Sequence, residues 1–245
     1  MKRKANTTPL SKEIIIEVAL NLIAEKGIDT FSIRDVARRL DTYPTAIYWY
    51  FKNKNTLLGE IANTVMSSVT PNYGNLDWHV WLTLLFQNYR DAVRQHPHIA
   101  DLIGGRLLAN AYQDPRLLDG IVAVLLDANC PPSHIVPMYN TVIASMCGFV
   151  TMEFGHLPLD NADEWEAKLR GEAKKVESSE YPNLTRFLPQ MMNNSFILRW
   201  KNGYDKPMDE SFNRYVDVFI DGLKHQINEL KEFEAQRNES ARLKI

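Results

Sequence analysis

Residues 31–54, FSIRDVARRLDTYPTAIYWYFKNK, constrain the fold more than any other part of the 245-residue chain. Ile33, Val36, Ala37 and Leu40 recur at helical spacing, and Ser32 just before them is a good N-cap. Asp41 and Thr42 then break the pattern, and aspartate tolerates the left-handed backbone of a tight turn better than most residues. Pro44 suits the first position of a new helix, where its missing N–H is not needed. Two short helices joined by so tight a turn have the layout of a helix-turn-helix, whose second helix enters the major groove of duplex DNA. That second helix carries Tyr48, Trp49 and Tyr50 in succession. Residues four apart share a helix face, so Ile47 and Phe51 are expected in the core, with Tyr48 and Trp49 outward. Arg38 and Arg39, on the outer face of the first helix, read as solvated cations.

The surrounding pattern is helical throughout. A helix is expected over residues 12–26, capped by Ser11 and ended by Gly27, with Ile15, Val18, Ala19, Leu22 and Ile23 as its buried stripe. Another should run from 54 to about 69, followed by the linker TPNYGNLD at 70–77. Further helices are expected at 78–95, 98–108, 116–128, 133–154, 163–176, 184–192 and 209–234. No alternating strand pattern competes with them. The expected fold is therefore all-α, with a helix-turn-helix DNA-binding domain at 1–69 and a linker at 70–77. A larger helical domain for ligand binding and dimerisation follows at 78–236, then a charged tail at 237–245.

Charge is distributed to match. The chain carries −2 overall, but residues 1–69 hold ten Lys/Arg against seven Asp/Glu and the remainder 18 against 23. A basic head on an acidic body confines DNA contact to one end. Only two cysteines occur, Cys130 and Cys147, and neither their number nor their spacing suits a zinc site, which fits a reducing cytoplasm. The basic start is not followed by the apolar run of a signal peptide. No window approaches 18 uninterrupted apolar residues, so no membrane partner is expected and the location is cytoplasmic. His96 and His98 lie two apart around Pro97, not at the i, i+4 spacing of a helical metal pair. GxSxG, phosphate-loop and HExxH motifs do not occur. The reading is of a protein that is not an enzyme and holds no metal or cofactor.

Residues 11–60 resemble the DNA-binding head of the TetR family, the tetracycline-repressor-like regulators. The resemblance rests on Ala19-Leu20, Gly27, the run Ser32-Ile33-Arg34-Asp35-Val36-Ala37, and Ile47-Tyr48-Trp49-Tyr50-Phe51-Lys52-Asn53-Lys54. It implies that Arg34 reaches a base edge or a phosphate, arginine to guanine being the commonest specific major-groove contact. It places Pro44, Thr45 and Ala46 at the recognition-helix tip, and Tyr48, Trp49 and Tyr50 on phosphates and bases. Lys54 matches a phosphate contact reinforced by the positive end of its helix. The chain departs from the family pattern at the turn, where Asp41 replaces the usual glycine, Thr42 the usual valine and Tyr43 the usual N-cap serine.

A single helix-turn-helix touches about half a turn of DNA, so a homodimer on a palindromic operator is expected. The resemblance implies that the helices at 133–154 and 209–234 form a four-helix bundle with their symmetry mates, and both are apolar over more than one stripe. It also implies a pocket for a small-molecule effector. Trp81, Phe86, Tyr89, Ile103, Tyr139, Met146 and Phe149 are candidate lining residues for a largely apolar or aromatic molecule, with Arg106 as a cationic partner or as a partner of Glu153 or Asp101. Leu85 and Ile103 stand where the ligands of tetracycline and its metal would be, so tetracycline itself is not expected. The function implied is a ligand-responsive transcriptional regulator, a repressor released from its operator by the effector. The alternative is an architectural or redox-responsive DNA-binding protein without one.

Overall fold

Local capping signals fix the helices of the head. Ser11 Oγ accepts from the Ile14 N–H at 3.3 Å and starts α1, Lys12–Lys26. Gly27, at φ 80°, ends it, and its N–H returns to the Ile23 carbonyl at 2.8 Å. Ser32 and Asp35 form a reciprocal capping box at the start of α2, Ile33–Arg39. After the turn come α3, Pro44–Tyr48, and α4, Lys54–Met66, the latter capped by Asn53 on the Thr56 N–H at 2.9 Å. α1 packs on α2 and α4, and α2 on α3, around Ile15, Ala19, Val36, Ile47, Phe51 and Ile61.

The computed structural model describes residues 9–72, 74, 76–100, 102–103, 114–155 and 161–242, with side chains to residue 237. Among the described residues there are no strands. The body comprises α5, Trp78–Gln95; a 3-10 turn, Pro97–Ile99; α6, Pro115–Asp127; α7, Ile135–Phe154; α8, Ala162–Ala173; α9, Pro182–Met191; and α10, Asp209–Arg242. α5 is central and packs on α4, α6, α7 and α10. The Trp81 ring lies over Gly120 of α6, where an added Cβ would sit 2.6 Å from Cζ2. Phe86 and Phe149 pack against Tyr215, Phe212 and Phe219 of α10, with Phe149 and Tyr215 stacked at 5.3 Å.

Helix ends differ from the sequence reading at several points, two of them for a clear local reason. α4 stops at Met66, because the Ser67 hydroxyl bonds back to the Thr64 carbonyl at 2.7 Å and competes with helix continuation. α10 runs to Arg242, past residue 234, since its charged end contains neither glycine nor proline. The helix expected at 98–108 opens as the 3-10 turn and stays helical at Ala100, Leu102 and Ile103, the last two in wider π-type turns, while residues 101 and 104–113 lie outside the described residues. The segment Pro132–Phe154, spanning α7, is long and apolar enough by length and composition to cross a membrane. The rule of 18 uninterrupted apolar residues misses it because small polar residues interrupt it. Only 28% of its apolar window is buried in the chain.

A buried ion pair joins the elements of the body. Arg90 Nε and Nη2 of α5 donate to both oxygens of Glu153 of α7, at 2.7 and 2.6 Å. Glu153 is wholly buried, and its Oε1 also accepts the Met208 N–H at 2.9 Å, just before α10. The remaining Arg90 nitrogen meets Asp209 at 2.8 Å, and the guanidinium lies over the Phe212 ring at 4.4 Å. Removing one partner of a buried pair leaves an uncompensated charge. Glu153→Ala should therefore lower stability by about 3–5 kcal/mol in denaturant unfolding. Arg94→Ala, at the exposed end of the same network, should cost about 1 kcal/mol or less.

Candidate DNA-binding site

The turn before the recognition helix is a Schellman motif built on an aspartate. The Thr42 N–H reaches the Ala37 carbonyl at 2.9 Å and the Asp41 N–H the Arg38 carbonyl at 3.3 Å. Asp41 itself takes φ 50°, the left-handed conformation that glycine usually supplies there. The altered turn thus keeps the geometry and adds a negative charge beside the recognition helix.

α3 presents its polar and aromatic side to solvent. Ile47 and Phe51 are buried, while Tyr48 and Trp49 are 48% and 88% exposed. Thr45 is exposed, and Pro44 and Ala46 are half-buried at the tip. Arg34 is exposed at the start of α2, and no ion pair holds it to another described residue. These exposed and half-buried residues all lie on α2 or α3 or directly at the end of α3, outside the head's buried core. Tyr50 and Lys54 are placed differently. The Tyr50 hydroxyl donates to the Leu10 carbonyl at 2.6 Å, tying the chain ahead of α1 to the end of α3. Lys54 Nζ donates to the Ile28 and Asp29 carbonyls at 2.8 and 3.2 Å and lies over the Phe31 ring. In this structure the Lys54 ammonium closes the loop between α1 and α2.

Arg38 and Arg39 are occupied within the head. Arg39 forks onto Glu25 of α1 at 3.0 and 2.6 Å, and Arg38 lies 3.3 Å from Asp35. Tyr43, 80% exposed at the N-cap of α3, is absent from the contacts the sequence points to. Its signal is its place before Pro44, which forces an extended backbone, φ −89° and ψ 145°, and turns the side chain out.

Asp35 secures the start of α2. Its carboxylate accepts from the Ser32 hydroxyl at 2.7 Å, from the Ser32 N–H at 3.1 Å and from Lys26 Nζ at 3.0 Å. The Ser32 and Lys26 hydrogen bonds hold its carboxyl down from the usual 3.8 to about 2. A carboxyl depressed by folding stabilises the fold above its ordinary value, and that contribution is lost as pH falls through the folded one.

The fold and this surface define a helix-turn-helix protein whose reading head is carried on a helical body. The family model of the bacterial regulatory proteins of the tetR family matches residues 15–61. The tetracycline repressor protein class G of Vibrio anguillarum is 34% identical over 100 residues, covering 36% of this chain and 47% of that protein. The chain thus spans about half the length of the curated relative it matches. The crystal structure of a "possible TetR family transcriptional regulator" from Streptomyces coelicolor A3(2) superposes with TM-score 0.65 at 26% identity, over 88% of this chain and 99% of that one. That of the TetR family protein ActR of Streptomyces coelicolor, in complex with (S)-DNPA, superposes with TM-score 0.64 at 17% identity, over 90% of this chain and 100% of that one. Residues 15–61 are thus a tetR-family DNA-binding segment, and the chain has the fold of solved TetR-family regulators.

Because the capping carboxylate titrates low, Asp35→Asn should lower the melting temperature at neutral pH. The gap to the parent protein should narrow as pH falls from the ordinary 3.8 towards about 2. A gap that stays constant in thermal melts across this range would show that the carboxylate charge is not what stabilises the cap.

Proposed function

We propose that the protein is a transcriptional repressor that binds a palindromic operator as a homodimer and releases it on binding a small effector. The observation that carries this reading is the solvent-facing side of α3. Tyr43, Tyr48 and Trp49 stand exposed on a helix whose other face is core, and exposed aromatic clusters mark recognition surfaces. In this reading Arg34, Pro44, Thr45, Ala46, Tyr48, Trp49 and Tyr50 contact DNA. Lys54 contributes by fixing the loop ahead of α2, or by exchanging its carbonyl partners for a phosphate. Residues 1–69 then form the DNA-binding domain, 70–77 the linker and 78–236 the regulatory domain. Residues 237–245 are a charged tail, and DNA as partner sets the location in the cytoplasm.

Dimerisation is supported by the outer faces of α7 and α10. Val136 and Met152 on α7, and Val218 and Phe233 on α10, are more than half exposed. α7 is also packed on α5 and α6 and carries the buried Glu153, so its open apolar side suits a second copy of the chain better than lipid.

The effector reading rests on the interior along α5. Trp81, Phe86, Tyr89, Ile103, Met146 and Phe149 are all buried there, with Tyr139 half-buried and Arg106 outside the described residues. The Tyr89 hydroxyl is wholly buried, and among the described residues only the Cys147 thiol lies beside it. A buried hydroxyl without an oxygen or nitrogen partner suits a ligand acceptor. Glu153 is already held by Arg90, so Arg106 has no need of it as a partner. ActR, which shares this fold and was solved in complex with (S)-DNPA, supports a small-molecule effector for this chain. An effector acts only through its different affinity for the two head positions. The redox alternative has less support, because burial raises the pKa of both cysteine thiols and disfavours the reactive thiolate.

Selection of bound duplexes from a random pool in defined salt should return a two-fold symmetric motif. Trp49→Ala should weaken binding to that motif by about tenfold or more and leave stability within about 0.5 kcal/mol. A selection without an enriched motif would overturn the specific-repressor reading. Val218→Lys should shift the protein to a monomer in analytical ultracentrifugation and lower operator affinity with it.

A further inference from the structure

Where the head meets the body, a cleft of about 600 Å³ opens between α1, the corner after α5 and the loop at 202–205. It is separate from the interior along α5 and large enough for a small organic molecule. Its α1 wall is Glu17, Leu20, Asn21 and Ala24, the face of that helix turned away from the head's core. The corner supplies Pro97 and Ile99 as apolar floor, with His96 and His98 at its edge. The loop contributes Asn202, Tyr204 and Asp205.

Two features give this cleft a preference. The first is charge. No lysine or arginine lines it among the described residues, whereas Glu17 and Asp205 do, and no hydrogen bond or ion pair to another described residue engages either carboxylate. His96 adds no compensating charge at neutral pH, because partial burial lowers its pKa. The second is a preformed far wall. The Gly203 N–H donates to the Glu153 carbonyl at 2.7 Å, and a Cβ at Gly203 would collide with the Glu153 side chain. Arg199 donates to the Lys201 and Lys206 carbonyls at 2.6 and 3.1 Å on either side of the loop. Asn202 caps the Tyr204 N–H at 3.0 Å. The loop is therefore anchored to the body before any ligand arrives, which lowers the ordering cost of binding.

We propose that this cleft is a second ligand site, selective for a small organic cation that carries an aromatic ring. The ammonium meets Glu17 and Asp205, and the ring lies on Leu20, Pro97 and Tyr204. Tyr204 is 66% exposed, so its ring face is open to a cation as well. Because one wall belongs to the head and two to the body, an occupant ties α1 to the loop at 202–205 and resists movement of the head.

The test is calorimetric titration of the full chain with 2-phenylethylamine, without DNA, so that it succeeds or fails independently of the operator reading. Saturable binding of one amine per chain is expected, and phenylacetate, which has the same ring and the opposite charge, should not bind. The double variant Glu17→Gln, Asp205→Asn should weaken amine binding by about tenfold. Ala24→Phe, on the exposed face of α1, should fill the cleft and abolish binding while leaving the thermal melt unchanged. Equal binding of phenylacetate, undiminished binding by either variant, or no binding of the amine would overturn the proposal.

Discussion

The body depends on the carboxylate of Glu153. Taking an ion pair out of water costs several kcal/mol per charge, so such a pair persists only when nearly every donor and acceptor is used. Here both oxygens are engaged by Arg90, and one also takes the Met208 N–H. The third guanidinium nitrogen is taken up by Asp209 at the first turn of α10, where a carboxylate also suits the helix dipole. One side-chain pair thereby sets the register of α7 against α5 and the point from which the 34-residue α10 departs. Through the Gly203 N–H and the Glu153 carbonyl it also positions the loop that faces the head.

The head is organised by other means. It has no buried charge pair among its described residues, and its helices are fixed one at a time by Ser11, Ser32, Asn53 and the left-handed Asp41. Such devices act within four or five residues, so they can be read along the chain. That is why α1 and the start of α2 fall where the sequence puts them, and why Ile47 and Phe51 are buried beneath an exposed Trp49. The body's key contact is different. Arg90 and Glu153 are 63 residues apart, and neither is flagged by spacing or motif. Lys54 illustrates the same limit within the head. Its place at a helix start suggests a phosphate, but its carbonyl partners lie 25 and 26 residues away.

Residue type also left core and pocket indistinguishable. Trp81, Phe86 and Phe149 are large and apolar, which suits either role. In the structure Trp81 rests on Gly120, while Phe86 and Phe149 meet the rings of α10. Tyr89 differs only in its hydroxyl, and whether that hydroxyl finds a partner depends on its distance from Cys147 of another helix. No periodicity along α5 encodes that distance.

The exposure of Trp49 has an optical consequence. The chain has five tryptophans, and Trp81 and Trp200 are buried while Trp78 and Trp165 are partly covered. Trp49 alone faces water almost completely. Its emission should form the red edge of the protein's fluorescence and be the component most accessible to iodide. The indole at the C-terminal end of α3 is therefore a built-in spectroscopic probe of whatever approaches that helix, and it needs no label.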